Sequence, residues 1–226
     1  MMIKNCLVIL ILICSSCLNK QQQIGKATTK PSTTSRDYRS MITKECLQDK
    51  LSNQFDLAMS FYRYPDNSQN DSCLVKVLIN DKRTTEAIDS FSFASWYYSG
   101  ATFRCENATS YTTGFNSNKE VVDNHPGDIV VADLNFDDKD DIALINDLTA
   151  SSGPLYNYYI QDSTGRFKLD NYLTDSKTFF PATIDRKNLR LTTFVWAGVC
   201  CVAKDVYQYD KTTKSWRHIR HKILRD

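Results

Sequence analysis

Apolar residues from about residue 55 onward recur in short runs that are typical of β-strands. In 89–98 (DSFSFASWYY), for example, Phe and Ser alternate, so successive side chains would face opposite sides of a sheet. Turn residues separate such runs at intervals of roughly 8–12 residues, as in sandwiches and barrels. Predicted strands lie at 55–64, 73–80, 89–98, 128–134, 141–147, 155–162, 165–170, 189–197, 201–210 and 215–224. One short helix is expected near 43–53. The pattern predicts an all-β fold, an antiparallel β-sandwich or propeller-like sheet with little helix.

The first residues carry the pattern of a secretory signal peptide. Lys4 precedes an apolar run at 6–14, which is too short to span a bilayer because a spanning helix needs roughly 20 residues. The stretch Cys14-Ser15-Ser16-Cys17 resembles the bacterial lipobox. That resemblance implies a lipoprotein signal peptide at 1–16, cleavage before Cys17, and acyl chains such as palmitate on Cys17. An ordinary signal peptide cleaved nearby is the alternative.

The residues after the predicted signal peptide divide into two parts. Residues 17–44 are rich in Gln, Thr, Ser and Lys and lack any hydrophobic period, which predicts a flexible tether between the lipid and the folded part. The folded domain is expected at 45–226. A doubly acylated amino terminus would hold it stably at a membrane, on the periplasmic or the surface face of the bacterial cell envelope.

Composition and charge exclude several classes of function. The chain has 226 residues, of which 42% are hydrophobic, and a formal net charge of +2. It lacks a basic stripe with interleaved aromatic residues, so nucleic acid is not an expected partner. It also lacks a nucleophile-elbow motif and a glycine-rich phosphate loop. We therefore do not expect an enzyme.

Five cysteines follow Cys17, and an odd number leaves at most two intramolecular disulfides. In an envelope protein outside the cytoplasm, disulfides are expected. Adjacent cysteines on a strand would face opposite sides, so the neighbouring pair favours two different partners. The pairing itself stays open. The five are Cys46, Cys73, Cys105, Cys200 and Cys201.

The densest group of chemical side chains is the acidic stretch in VVADLNFDDKDDIALIND at 130–147. Asp133, Asn135 and Asp137 occupy alternate positions, Lys139 can offer its carbonyl oxygen, and Asp141 can complete the shell. Calcium takes six to eight such oxygen ligands. A solvated acidic turn is the alternative, but the spacing favours a structural calcium site at these five positions.

The same stretch resembles the D-x-[DN]-x-[DN]-G-x-x-D-[IL] loop of FG-GAP and related β-repeat proteins. Asp133, Asn135, Asp137, Asp141 and Ile142 match this motif. Asp138 stands where the family has Gly, and Asp tolerates a left-handed backbone better than most residues. The resemblance implies a loop between two antiparallel strands.

A wider resemblance covers roughly residues 55–210. In order and spacing, this region is similar to bacterial envelope lipoproteins that include the periplasmic inhibitors of i-type lysozyme and immunity proteins against peptidoglycan hydrolases. In those inhibitors a Ser-Gly-x-Tyr loop enters the lysozyme cleft. The matching residues here are Ser152, Gly153 and Tyr156, with one additional residue between Gly153 and Tyr156. The resemblance implies a partner-binding loop, with calcium beside it bracing its base.

Each of these assignments has an alternative. SSGP is also a common turn, and Tyr156 would then belong to the core. The protein could instead bind carbohydrate or a surface without inhibiting anything, through exposed aromatic residues such as Trp96 or Trp196. His218 and His221, in the basic segment RHIRHK, favour a solvated edge strand over a metal pair. The sequence thus predicts a calcium-binding lipoprotein that inhibits a lysozyme-like peptidoglycan hydrolase.

Overall fold

A computed structural model describes residues 42–63, 73–99, 103–149, 153–176, 179–198 and 200–225. The predicted signal peptide, Cys17 with its predicted lipid, the predicted tether as far as residue 41, and Ser152 lie outside the described residues. Within the described part of the chain, no helix has the length and apolar character needed to cross a bilayer.

Thirteen described strands form three sheets, each built from strands that follow one another along the chain. Sheet 1 contains β1 (Ile42–Gln48), β2 (Phe55–Tyr62), β3 (Cys73–Asp81) and β4 (Ala87–Ser95). Sheet 2 contains β5 (Ala108–Ser110), β6 (Ile129–Ala132), β7 (Asp141–Thr149), β8 (Gly153–Gln161) and β9 (Phe167–Leu169). Sheet 3 contains β10 (Thr183–Asp185), β11 (Arg190–Trp196), β12 (Cys201–Asp210) and β13 (Ser215–Arg225). A 3₁₀ helix at Tyr97–Ser99 and helix α1 (Asn171–Ser176) complete the described elements.

The pairing within the sheets is antiparallel with one exception, the parallel pair β5–β6. Short connections between consecutive antiparallel strands suffice for such meanders. The predicted fold class, all-β and antiparallel with little helix, is confirmed.

The helix expected near 43–53 is wrong, because the segment belongs to β1 as far as Gln48 and then forms bends. Strand β1 pairs with β2 from Leu57 to Tyr62. Its side chains alternate: Cys46 and Gln48 are buried, whereas Glu45 and Leu47 are exposed. Lys, Glu, Leu and Gln are good helix formers, but helix propensity is a small energetic term, and tertiary pairing overrides it here. Strand β1 begins at Ile42, three residues before the predicted start of the domain at residue 45.

The core lies between sheets 1 and 2. Strand β2 turns Phe55, Leu57, Met59 and Phe61 inward at alternate positions, as a half-buried strand requires. The ring of Phe91 on β4 stacks on Tyr159 of β8 at a centroid distance of 3.9 Å. Strand β6 is buried on both faces, so its carboxyl end, from which the acidic stretch departs, is held firmly.

One disulfide joins Cys46 on β1 to Cys105, which lies ahead of β5, with 5.5 Å between the Cα atoms. It therefore links sheet 1 to the segment that leads into sheet 2. Cys73 is buried, and burial raises the pKa of its thiol. The Sγ atoms of Cys200 and Cys201 lie 2.7 Å apart.

Candidate metal site and partner-binding loop

The acidic stretch forms the connection between two antiparallel strands, β6 and β7. Ala132, the last residue of β6, is the register partner of Asp141, the first residue of β7. Strand, loop and strand thus follow in the order implied by the resemblance to the FG-GAP loop.

Asp141 closes the loop from inside the protein. Its side chain is fully buried. Its Oδ2 accepts hydrogen bonds from the backbone N–H groups of Leu134 at 2.8 Å and Asn135 at 3.3 Å, and its Oδ1 accepts one from Gln161 at 2.9 Å. Asp141 therefore ties both ends of the loop to β8.

Asp133 organises the opposite side of the loop. Its two carboxylate oxygens accept hydrogen bonds from the backbone N–H groups of Asp137 and Asp138, each at 3.0 Å. Asn135 Oδ1 accepts a further bond from the N–H group of Asp137 at 3.1 Å. Asp138 has a φ of 65°, which is the left-handed conformation expected at the position where the resembling motif has Gly.

Burial shapes the electrostatics of this loop. Desolvation raises the pKa of Asp133, and it raises the pKa of Asp141 well above the ordinary range. The Arg186 guanidinium forms ion pairs with Asp133 and, at 2.9 Å, with Asp138. Several carboxylates therefore lie close together where they are partly desolvated, and the single positive charge of Arg186 does not balance them all. A bound cation would stabilise their ionised forms.

The donor chemistry of the loop fits a hard cation. Asn135 and Asp137 line a cleft of about 610 Å³ together with Gln161. The Oε1 atom of Gln161 is buried and accepts no hydrogen bond from the described residues. A buried amide oxygen of this kind is costly without a partner, and calcium takes amide oxygens as ligands. The ammonium group of Lys139, by contrast, donates to the carbonyl oxygen of Asp162.

The carboxylates of the loop are nevertheless spread apart. Among the described residues, one group of three His, Cys, Asp or Glu side chains has all its ligand atoms within 4.8 Å of one another, and that group lies on sheet 3. Asp133, Asp137 and Asp141 are not gathered to this spacing. Binding a calcium ion would therefore require these side chains to move inward.

The predicted partner-binding loop lies at the other end of β7. Strand β7 runs from Asp141 to Thr149, so at about 3.3 Å per residue its two ends lie about 26 Å apart. Calcium in the acidic loop would therefore not lie beside the β7–β8 connection, and the expectation that it braces the base of that connection is wrong.

Tyr156 is not a surface residue, which contradicts its predicted contact role. Its side chain is 1% exposed, and its hydroxyl donates a hydrogen bond to the carbonyl oxygen of Gly127 at 2.6 Å. The ring packs edge-on against Phe180, with 5.8 Å between the centroids. The sequence alone does not show which face of a strand an aromatic residue occupies when that residue lies next to a turn.

Gly153 keeps a position that only glycine can take. It begins β8 with a φ of 98°, and a Cβ atom there would lie 2.4 Å from the carbonyl oxygen of Asp123. The first residue of β8 thus packs tightly against the backbone of Asp123. The role that the structure gives to Gly153 is therefore this close backbone packing on Asp123.

Exposed apolar side chains surround this end of the β7–β8 hairpin. Leu148 is the register partner of Pro154, and Val121 and Val122 directly precede Asp123, which contacts Gly153. All three are exposed large hydrophobic residues. None of the three was among the residues predicted from the sequence, although two adjacent valines in the polar segment 116–125 are a visible signal.

The aromatic residues considered for carbohydrate binding also lie at the surface. Trp96 follows β4, Trp196 ends β11, and both are exposed. Their exposure fits the alternative of a surface-binding module.

Comparison with known proteins gives few matches. No family model matches the chain, and no curated protein sequence matches it. Two chains of solved structures do. One of them is described as "Structure of a Xanthomonas Type IV Secretion System related protein", with 15% sequence identity, a TM-score of 0.48, and coverage of 80% of this chain and 93% of that chain. A likeness at this level carries no conclusion about what this chain does.

Proposed function

We propose that this chain is a lipid-anchored protein of the bacterial cell envelope that binds and inhibits a lysozyme-like peptidoglycan hydrolase, with calcium as a structural ion. The observation that carries the proposal is the exposure of three large apolar side chains, Val121, Val122 and Leu148, whose neighbours in the chain meet at the end of the β7–β8 hairpin; they are called the apolar patch below. This patch borders the segment that corresponds to the inhibitory loop of the resembling lipoproteins.

The patch has the properties of a protein-binding surface. Apolar side chains clustered on a surface mark interaction sites more often than single exposed ones do. The close packing of Gly153 on Asp123 holds the backbone beneath the patch, and a rigid surface loses less conformational entropy on binding. The exposed acidic residues Asp123 and Asp147 border the patch, so it suits a partner with a basic surface.

Inhibition is tested with the detergent-solubilised chain and muralytic enzymes of several lysozyme types, by following the clearing of a cell-wall suspension. We expect the wild type to slow clearing by at least one enzyme type at near-equimolar concentration. Leu148→Glu should raise the concentration needed by more than about tenfold, because it places a charge in a desolvated contact.

Leu169→Glu is the matched control. Leu169 on β9 is 45% exposed, as is Leu148, and it lies outside the patch. We expect this variant to inhibit like the wild type. Absence of protection against every enzyme type at large molar excess would contradict the proposed inhibition, and equal loss in both leucine variants would contradict the proposed surface.

Calcium is tested separately, by thermal melting with calcium and with chelator. A ligand that binds only the folded protein raises stability by about 2.7 kcal/mol at one hundred times its Kd. We expect Asp137→Asn to weaken this stabilisation, and we expect Asp138→Asn to retain it, because Asp138 faces Arg186 and solvent. A melting midpoint that is the same in millimolar calcium and in chelator would remove calcium from the proposal while leaving the inhibitory surface untouched.

A carbohydrate- or surface-binding module is the second candidate, favoured by the exposure of Trp96 and Trp196. Indole rings at the surface can stack on sugar rings. Binding to a glycan array that is lost in Trp96→Ala, together with no effect on muralytic enzymes, would favour this function over inhibition.

A further inference from the structure

The group of metal-ligand side chains on sheet 3 lies far along the chain from the acidic loop. It consists of Asp205 on β12 and of His218 and His221 on β13, whose ligand atoms all lie within 4.8 Å of one another. His218 Nε2 and His221 Nδ1 each lie 2.8 Å from the same atom, Asp205 Oδ1. Two imidazole nitrogens and one carboxylate oxygen thus converge on one point.

A β-bulge creates this convergence. Residues three apart on a regular strand face opposite sides, so His218 and His221 would normally diverge. Here Tyr207 pairs with His218 and Asp205 pairs with His221, with an irregularity between Val206 and Tyr207 that leaves Ile219 without a register partner. Because Asp205 and Tyr207 share a face, both histidines join them on it. Bulges often re-aim side chains in this way at functional sites.

The same bulge separates the histidines from three of the four basic residues of β13. Arg217, Arg220 and Lys222 pair with Gln208, Val206 and Lys204, which occupy the alternate positions of β12. Those three cationic side chains therefore belong to the opposite face of the sheet. Their charges are directed away from the point at which the ligand atoms meet, so they oppose a bound cation less than the basic sequence suggests.

The ligand side chains are also held in place. Asp205 lies on β12, which is paired on both sides, with Thr193 of β11 and with His221. The imidazole of His218 stacks on the ring of Tyr207 with 4.8 Å between the centroids. Exposure of the side chains is 42% for His218, 54% for His221 and 15% for Asp205. The site is thus partly ordered in advance yet open to solvent.

We propose that Asp205, His218 and His221 bind a divalent transition-metal ion of borderline softness, such as Zn²⁺, and leave at least one coordination position open. Imidazole and carboxylate are ligands that Zn²⁺ accepts, and three protein ligands leave a fourth position for water or another group. Tetrahedral Zn²⁺ holds neighbouring donors about 3.3 Å apart, so the two contacts of 2.8 Å need to open by roughly half an ångström. The ion would replace the protons that the histidines share with Asp205.

The test is a calorimetric titration of the full chain with ZnCl₂, without a polyhistidine tag and in millimolar calcium so that the acidic loop does not compete. We expect one equivalent of Zn²⁺ to bind. His218→Asn and His221→Asn should each weaken binding by more than about tenfold, since even residues that only orient a metal ligand contribute about 10–100-fold. Both histidines are exposed, so neither change should disturb folding.

The control is the remaining histidine of the chain, His125, whose Nε2 lies 2.8 Å from Asp128 Oδ1 in the connection ahead of β6. His125→Gln should bind Zn²⁺ as the wild type does. Binding that survives in both His218→Asn and His221→Asn, or that is lost only in His125→Gln, would overturn the proposal. A cobalt-substituted protein whose absorption shows a thiolate ligand would overturn it as well, because the proposed site contains no sulfur.

Discussion

The variant Tyr156→Phe tests whether Tyr156 stabilises the fold or contacts a partner protein. The change removes one hydroxyl and keeps the ring, so it leaves the packing against Phe180 intact. The hydroxyl is buried and donates to the carbonyl oxygen of Gly127 at 2.6 Å. Loss of a buried hydrogen-bond partner costs about 1–3 kcal/mol, and for a domain of this size each kcal/mol lowers Tm by about 2–4 °C.

We therefore expect urea unfolding of Tyr156→Phe to show a free energy of unfolding about 1–3 kcal/mol below that of the wild type, with an unchanged slope against denaturant. Inhibition of a responsive hydrolase, measured well below the transition, should be the same as for the wild type. Tyr111→Phe is the control, because Tyr111 is an exposed tyrosine whose loss of a hydroxyl should change stability by less than about 0.5 kcal/mol.

The opposite pair of results would refute the reasoning. If Tyr156→Phe weakened inhibition more than about tenfold while the free energy of unfolding stayed constant, Tyr156 would be in contact with the partner, as the resemblance implied. The β7–β8 hairpin would then have to open on binding, and the closed arrangement seen here would be the unbound form alone.

Three further predictions concern stability. Replacing both Cys46 and Cys105 by Ala should lower the free energy of unfolding by about 4 kcal/mol, given a sequence separation of 59 residues, and a loss below about 1 kcal/mol in denaturant titrations would contradict the link. Gly153→Ala should lower Tm, because its Cβ would lie 2.4 Å from the Asp123 carbonyl oxygen at a positive φ; a Tm equal to that of the wild type would show that the segment shifts freely. Burial raises the pKa of Tyr158 well above its ordinary value, so this residue contributes stability below about pH 10 that is lost as pH rises through its folded-state pKa. Tyrosinate absorbance should then show a component that appears together with the loss of circular dichroism, and complete ionisation in the folded protein would contradict it.

The sequence predicted features that depend on neighbouring residues. The strand–loop–strand order around Asp133 and Asp141 depends on apolar runs beside a turn of oxygen-bearing side chains. The left-handed backbone at Asp138 depends on the ability of Asp to adopt a positive φ. Both are local properties, so the sequence predicts them without knowledge of the tertiary structure.

Features that depend on tertiary pairing could not be predicted in this way. The segment that forms β1 has a helical composition, and only its pairing with β2 makes it a strand. Tyr156 could face either side of β8, and the packing of Phe180 and Gly127 decides which. The pairing of Cys46 with Cys105 likewise depends on how β1 lies beside the chain ahead of β5.

The histidines of β13 show the same limit most clearly. A regular strand would separate His218 from His221, and the bulge that unites them depends on the register with β12. The basic residues around them indicated a solvated edge, and β13 is indeed the edge of its sheet. The alternation of side chains along β13 alone does not reveal that Ile219 has no partner on β12.

Strand order has a consequence for how the chain reaches this structure. Because each sheet is a run of successive strands, each strand pairs with a neighbour in the chain, and the loops that must close for this pairing are short. If the chain is exported amino end first, as the proposed function requires, the β1–β4 meander can form before the later sheets are present. Cys46 lies on the first strand of that meander and Cys105 follows the last one. Formation of the disulfide would therefore stabilise sheet 1 before sheets 2 and 3 have folded.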